Sequence, residues 1–259
     1  MKRPSRLFRR LPRMTFILIL LFMTVLGNTS VQAASKSVYV ISKIVQAVKM
    51  PMMISKSSHT ITYNKNGLVT KVKMSKGYTY KYKYNKKNQL VQSEYIDINH
   101  ETTDLELDKK GRVKQKGSII FKYNSKGKLK STSNPDNSYT YNSKGQLIKV
   151  KLLHDKTTVT YTYDARGMIA SEKERFDSRD PIDYTYTNTY DKNGNLKKQI
   201  QYEQYNFEAK KLSAVTTFTY KKISVPASLV PRIKAQQMYL YREYAADSPY
   251  IYPFEGIYK

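Results

Sequence analysis

The chain has 259 residues and a formal net charge of +26, because 46 Lys and Arg outnumber 20 Asp and Glu. It contains no Cys, which excludes disulfide bonds and a lipid anchor on an N-terminal Cys. The positive charge attracts anions, which outside a cell are wall polymers, acidic lipids and glycans, and released nucleic acid. The same lysines would also keep exposed strands soluble and oppose edge-to-edge aggregation.

Residues 1–33 have the three-part pattern of a secretory signal peptide. Residues 2–13 include six basic and no acidic side chains, and an apolar run extends from Thr15 to Leu26. Val31-Gln32-Ala33 then provides a small-residue cleavage site. The apolar run is shorter than the ~20 residues of a membrane-spanning helix, and an uncleaved anchor is the alternative.

Cleavage after Ala33 would leave 226 residues with a charge of +20, since the six basic residues are removed. An exported chain of this size without Cys is typical of Gram-positive bacteria and depends on packing and on its sheet for stability. We therefore predict a protein that is secreted or non-covalently associated with the cell wall, with no transmembrane span in the mature chain.

A seven-residue phrase recurs between Tyr63 and Tyr220. It consists of an aromatic residue, Asn or Asp, two variable positions, Gly, one variable position and an apolar residue. One copy has Leu in the first position, and another has Asn in place of Gly. Internal repeats of this kind take precedence when a fold is predicted. The seven copies begin at Tyr63, Tyr84, Leu107, Tyr123, Tyr141, Tyr163 and Tyr190.

Each phrase predicts a tight chain reversal. Asn and Asp are favoured at the first position of a type I turn, and Gly or Asn readily takes the left-handed conformation that follows. Together they form the three-residue hairpin loop with a bulge. The predicted turn residues are Asn64 and Gly67, Asn85 and Asn88, Asp108 and Gly111, Asn124 and Gly127, Asn142 and Gly145, Asp164 and Gly167, and Asp191 and Gly194.

This turn places the first residue of the phrase opposite the apolar residue six positions later. Aromatic–aliphatic pairs across two strands contribute about 0.2–1 kcal/mol each. The strands that enter the turns also alternate with a period of two, as in Tyr78, Tyr80, Tyr82 and Tyr84. The predicted pairs are Tyr63–Val69, Tyr84–Leu90, Tyr123–Leu129, Tyr141–Leu147, Tyr163–Ile169 and Tyr190–Leu196.

The predicted fold is all-β, with tandem antiparallel β-hairpins in one large coiled or partly closed sheet whose Tyr/Leu face points inward. Residues 34–60 form one or two leader strands, residues 61–222 the hairpin repeats, and residues 223–259 a C-terminal cap. The cap contains a short helix near 231–244 and an aromatic surface. Ile148, Val150 and Leu152 have the opposite parity to Leu147, so we expect part of the outer face to be covered, with the tail as the candidate cover.

A second set of turns connects each hairpin to the next and varies in length and composition, whereas the phrase turns are nearly constant. Variable loops on a rigid scaffold are where binding usually occurs. The sequence therefore favours the connecting turns, together with Lys-rich strand faces, as the binding surface.

The phrase, with Tyr-x-Tyr-Asx before Gly-x-Leu, resembles the YD repeats of the RHS and teneurin proteins over residues 61–222. The resemblance implies long β-hairpins that coil into a shell and an interaction role outside the cell. Large members enclose a C-terminal toxin. This chain has too few repeats for that, no Asp-Pro-x-Gly motif and only about 37 residues after the repeats, so toxin delivery is not carried over.

The segment from Tyr161 to Met168 is also similar to the wall- and glucan-binding repeats of Gram-positive bacteria. Those repeats have paired aromatics, an Asx-rich turn and Gly-x-Met. They usually use Trp and a second Gly, and this chain has no Trp. The YD resemblance is the stronger, and wall association is compatible with both.

No sequence motif for catalysis, a cofactor or a metal is present. His59, His100 and His154 have no paired ligand spacing. We therefore predict a protein that is not an enzyme and has no cofactor. An acidic segment leaves two alternatives open, which are a carboxylate pair for glycoside hydrolysis and a calcium loop. The residues concerned are Glu94, Asp97, Asn99, Glu101, Asp104 and Glu106.

The leading functional hypothesis is a secreted, basic interaction module at the bacterial cell envelope. Its partner would be an anionic cell-wall polymer or a surface protein. A glycan-active enzyme with loop carboxylates and a wall- or glucan-binding repeat protein are the alternatives. Non-specific binding of extracellular nucleic acid is a third possibility, because Tyr interleaved with Lys can stack on bases and contact phosphates.

Overall fold

The computed structural model describes residues 34–49, 52–133, 136–206 and 208–245, so the predicted signal peptide and residues 246–259 of the predicted cap lie outside it. The described chain forms sixteen strands, a short 3-10 turn at Ala227–Leu229 and one α-helix, α1, at Val230–Ala245. The strands are β1 Ser35–Lys49, β2 Ile54–Tyr63, β3 Val69–Met74, β4 Thr79–Tyr84, β5 Leu90–Ile96, β6 His100–Leu107, β7 Val113–Lys116, β8 Ile119–Tyr123, β9 Leu129–Ser133, β10 Asn137–Tyr141, β11 Leu147–Leu152, β12 Thr157–Tyr163, β13 Ile169–Arg175, β14 Ile182–Tyr190, β15 Leu196–Tyr205 and β16 Lys211–Pro226.

Every strand pairs antiparallel with the next strand in sequence, and β1 also pairs with β16. The sheet is therefore a closed barrel, which leaves no long edge for aggregation. Val45 lies opposite Thr217 at this closure. The prediction of an all-β hairpin array with a C-terminal helix is confirmed. Seven of the hairpins, from β2–β3 to β14–β15, are joined by phrase turns, and those turns lie at one end of the barrel.

A bulge beside each phrase turn changes which side chains face the interior. In the hairpin β10–β11, Tyr141 pairs with Leu147 and Thr140 pairs with Lys149, so Ile148 is an extra residue. The same register shift occurs in all seven phrase hairpins. A bulge reverses the alternation that follows it. Val150 and Leu152 are accordingly buried on the same side as Leu147.

The expectation that Val150 and Leu152 require a cover on the outer face is therefore wrong. The described part of the cap also lies elsewhere. Leu240 and Tyr241 of α1 belong to the same buried cluster as Leu147, so the helix packs against the inner face. In the described part of the chain, no helix combines the length and the apolar character needed to cross a membrane.

Candidate functional site: the phrase rim

The phrase turns share one hydrogen-bond pattern. In the first, the amide of Gly67 donates to the carbonyl oxygen of Asn64 at 2.9 Å, and Asn64 donates its own amide to Leu68. The Asn64 side-chain oxygen accepts the amides of Asn66 and Leu68, both at 3.0 Å. This Asx capping recurs in the other turns. In the last of them, the side-chain oxygen of Asp191 accepts the amides of the residues two and four positions later. The side chain at the second phrase position thus holds the turn rigid.

The fourth turn position is left-handed in each copy, with φ between 60° and 83°. Asn88 takes this conformation where the other six copies have Gly. At Gly67 an added Cβ would lie 2.5 Å from Val225 Cγ1 and 2.9 Å from Ile233 Cδ1. The first turn therefore needs Gly both for its backbone angle and for the close approach of β16 and α1.

The pairs of phrase residues lie as follows. Each phrase tyrosine lies opposite the aliphatic residue six positions later and is half-buried. These tyrosines are Tyr63, Tyr84, Tyr123, Tyr141, Tyr163 and Tyr190. Their partners are at most 2% exposed and line the barrel interior; they are Val69, Leu90, Leu129, Leu147, Ile169 and Leu196. Leu107 lies opposite Val113 in the remaining copy.

Sequence reasoning missed a ring of hydrogen bonds made by tyrosine hydroxyls. Four of these hydroxyls donate to a backbone carbonyl of the neighbouring hairpin, at the aliphatic residue that follows its turn, whereas Tyr190 donates to the Asp164 carboxylate. Tyr220 closes the series on Leu196, and Tyr63 donates to Ile41 of the adjacent strand β1. The bonds are Tyr63 to Ile41 at 2.5 Å, Tyr84 to Val69 at 2.7 Å, Tyr123 to Val113 at 2.6 Å, Tyr163 to Leu147, and Tyr220 to Leu196 at 3.0 Å. The preference for Tyr over Phe in the phrase was the available signal.

Helix α1 reaches the same ring of tyrosines from inside. Gln236 accepts the Val69 amide at 3.0 Å and donates to the Tyr84 hydroxyl at 3.1 Å. Arg242 donates to the Tyr163 hydroxyl at 2.9 Å. Since Gln236 and Arg242 are buried, the helix fastens hairpins from separate parts of the barrel at the end that carries the phrase turns.

We call the seven five-residue turns, from each Asx to the residue after Gly or Asn88, the phrase rim. It carries eleven Lys or Arg and three Asp, a net charge of +8. Nine of the cations are exposed, eight of them lysines. The exposed cations are Lys65, Lys86, Lys87, Lys109, Lys110, Lys126, Lys144, Arg166 and Lys192.

The three acids of the phrase rim are engaged in the turns themselves. Partial burial raises the pKa of Asp108, but hydrogen bonds from Arg112 and Lys110 outweigh it and the pKa is lowered overall. Asp164 behaves alike, with the Tyr190 hydroxyl as its first donor, and Asn195 lowers the pKa of Asp191. These carboxylates therefore stay ionised and directed at backbone amides instead of at the exposed lysines.

Three rim cations, one of them the exposed Arg166, stack on phrase rings. Arg112 lies 4.2 Å from the centroid of Tyr123, and Arg166 lies 4.4 Å from that of Tyr190. Lys128 is 5.2 Å from the Tyr141 ring. Contacts of this kind contribute about 0.5–1 kcal/mol at exposed sites. They hold these three cations near the barrel wall, whereas the eight exposed lysines extend into solvent.

The outer strand faces are also basic. Exposed Lys73, Lys122, Lys151 and Lys173 lie mid-strand. The first three lie opposite Ser or Thr, and Lys173 lies between Thr160 and Asp183. Some strand residues form ion pairs, since Glu106 pairs with Lys114 at 3.7 Å and Asp183 with Arg175 at 2.6 Å. Glu94 is bound by Lys83 at 2.9 Å and Lys81 at 3.2 Å. Its pKa is lowered to about 2, chiefly by the Lys83 and Lys81 hydrogen bonds.

The candidate carboxylates do not converge. Glu94 and Asp104 lie on the outer face, while Glu101 lies opposite Tyr95 on the other side of the sheet. Asp97 caps the turn by accepting the Asn99 amide at 2.6 Å. Among the described residues, no three His, Asp or Glu side chains are arranged to hold a metal ion.

The opposite end of the barrel carries the connecting turns, which hold six acidic and four basic residues, a net charge of −2. A groove of about 500 Å³ lies between two of them and is lined by residues 154–157 and 176–179. Its two acidic and two basic side chains sum to no net charge, with Lys156 paired to Asp177 at 2.9 Å and Arg179 stacked 3.5 Å from the Phe176 centroid.

Comparison with known proteins agrees with this architecture. The family model described as the teneurin YD-shell matches residues 23–193. Among solved structures, a porin-like protein from Bacteroides uniformis has 13% identity and a TM-score of 0.42, over 70% of this chain and 98% of that chain. The Tc holotoxin pore of Photorhabdus luminescens has 19% identity and a TM-score of 0.29.

That toxin match covers 58% of this chain and 9% of the toxin chain, so the chain spans less than a tenth of the toxin's length. A search of curated proteins found no significant match. The family match extends over more than half of the chain and includes six of the seven phrases completely. The chain therefore belongs to the teneurin YD-shell family.

Proposed function

We propose that this β-repeat shell is an exported interaction module that binds an anionic polymer at the cell envelope of a Gram-positive bacterium. The observation that carries the proposal is the excess of exposed lysines without an acidic partner, on the outer strand faces and on the phrase rim. The connecting turns, by contrast, have a charge close to neutral. An acidic surface protein would present a similar charge, but the lysines are spread over many repeats, which suits a long polymer.

The binding would be ionic and multivalent. A single exposed ion pair contributes about 0–1 kcal/mol, so useful affinity requires many simultaneous contacts. Repetition of one hairpin provides those contacts at regular spacing, since neighbouring strands lie about 4.8 Å apart. Such binding weakens as salt is added, because the screening length falls to about 10 Å at 0.1 M salt and about 3 Å at 1 M.

The test is retention of the purified protein on isolated Gram-positive cell walls over a range of salt concentrations. We expect retention at low salt and release as salt rises, and loss of retention on walls stripped of their anionic polymers. Retention that is independent of salt, or equal on stripped walls, would reject the proposal. So would absence of binding at low salt.

A further inference from the structure

The distribution of charge distinguishes the two ends of the barrel. We infer that a flexible linear polyanion lies along the phrase rim at one end of the barrel, and does not bind across the outer strand faces or the connecting turns. This inference rests on the function proposed above and adds the location and the class of ligand.

The two ends of the barrel differ sharply in charge. The phrase rim has a net charge of +8, and the connecting turns have a net charge of −2. An approaching polyanion is therefore attracted more strongly to the phrase rim than to the connecting turns. The connecting turns vary in sequence, but their six acidic residues make them the less favourable surface for an anion.

The rim lysines are free to bind. None of the eight exposed rim lysines has an ion pair within the described part of the chain. The rim aspartates form no ion pair with these lysines, because Asp108, Asp164 and Asp191 accept hydrogen bonds from their own turns. A ligand would therefore not have to displace an internal partner.

The rim is also pre-organised. Asx capping fixes each turn, and tyrosine hydroxyl bonds join several neighbouring hairpins. Successive phrase turns are two strands apart, so cation groups recur about every 10 Å along the rim. A flexible chain of anions can follow such a row with little ordering of the protein, which reduces the cost of binding.

The ligand class follows from what the rim lacks. The phrase tyrosines are half-buried, and several donate their hydroxyls within the protein, so they do not offer open faces for stacking nucleobases. Recognition would depend on charge and length alone. Inorganic polyphosphate and single-stranded DNA of matched charge should therefore bind with similar affinity.

Two variants of equal charge separate the rim from the strand faces. The rim variant replaces Lys86, Lys109, Lys126 and Lys144 by Gln, in four different hairpins. The face variant replaces Lys73, Lys122, Lys151 and Lys173 by Gln, at exposed mid-strand positions. A third variant with Arg at the four rim positions keeps the charge. Thermal unfolding of all three establishes that each is folded.

The measurement is the salt dependence of binding to long-chain inorganic polyphosphate. Loss of four contacts should reduce the slope of log K against log salt by about 3 for a single-stranded polyanion, with affinity at low salt falling at least tenfold. We expect this for the rim Gln variant, and near-native binding for the face variant and the Arg variant.

Equal losses of affinity in the rim and face variants, or a larger loss in the face variant, would overturn the assignment of binding to the phrase rim while leaving the proposed function intact. No salt-dependent binding by the unmodified protein would reject both. A preference of more than tenfold for DNA over polyphosphate, or for an acidic folded protein over both polymers, would overturn the ligand class.

Discussion

The tyrosine ring can be tested by removing one oxygen atom. Tyr220 closes the series of hydroxyl bonds, donating to the carbonyl oxygen of Leu196 at 3.0 Å. Burial raises the pKa of Tyr220 well above its usual value of 10, so the phenol remains a donor throughout the neutral range. Tyr220→Phe keeps the ring and its packing and removes only the hydrogen bond.

The expected cost follows from the environment of the bond. A hydrogen bond contributes about 0.5–1.5 kcal/mol net, and a buried partner left unsatisfied costs about 1–3 kcal/mol. Because Tyr220 is half-buried and Leu196 is 2% exposed, we expect a loss of about 1–2 kcal/mol. For a domain of this size that corresponds to a decrease in Tm of about 2–8 °C.

The assay is thermal or urea-induced unfolding of Tyr220→Phe beside Tyr39→Phe. Tyr39 is 40% exposed, and its hydroxyl makes no hydrogen bond within the described residues, so the same change there should have an effect within about 0.5 kcal/mol. If the two variants unfold together, the ring of hydroxyl bonds does not stabilise the barrel and this reasoning is wrong.

Two further predictions concern the interior and the closure of the barrel. Burial raises the pKa of Glu174 to about 7, so the native state binds the extra proton and stability falls as pH rises from about 4.5 through 7. Glu174→Gln should therefore be more stable than the native chain at pH 8, by up to about 3 kcal/mol, with the advantage lost by pH 5; an advantage independent of pH would contradict this. Cysteines in place of Val45 and Thr217 should form a disulfide, because these residues face each other where β1 meets β16. If cysteines at Thr140 and Lys149 within one hairpin form a disulfide and the first pair does not, the barrel is open.

The hairpins could be predicted because each has a local signal. Asx, Gly and the aliphatic residue lie within seven positions, and their spacing specifies one turn and one cross-strand pair. Closure of the barrel could not be predicted in this way. Residues 35–49 pair with residues 211–226, although nearly the whole chain separates them. Neither segment contains a sequence pattern that identifies the other as its partner.

The bulges explain the wrong expectation about the outer face. A strict period of two places Leu147 and Val150 on opposite faces, but the extra residue Ile148 brings them to the same side. The same shift puts Glu172 and Gln199 inside the barrel, where alternation from Ile169 and Leu196 predicts outward positions. The predicted turn implies the bulge, and the bulge reverses the inward and outward alternation of the strand that follows.

The basic site was predictable in composition and not in position. The excess of lysine is evident from the sequence, whereas the difference between the two ends depends on which turns lie together. Sequence variability favoured the connecting turns. The constant turns combine more cations with acids that are already bound, so the binding proposed here rests on charge and not on variability.

Binding along the phrase rim can be tested most directly by lysine footprinting of the unmodified protein with and without polyphosphate. Reactivity of each lysine toward an acylating reagent would be read by mass spectrometry. We expect polyphosphate to protect Lys86, Lys109, Lys126 and Lys144 strongly from acylation. The reactivity of Lys73, Lys122, Lys151 and Lys173 should change little. Protection of the strand-face lysines with the rim lysines left reactive would contradict it.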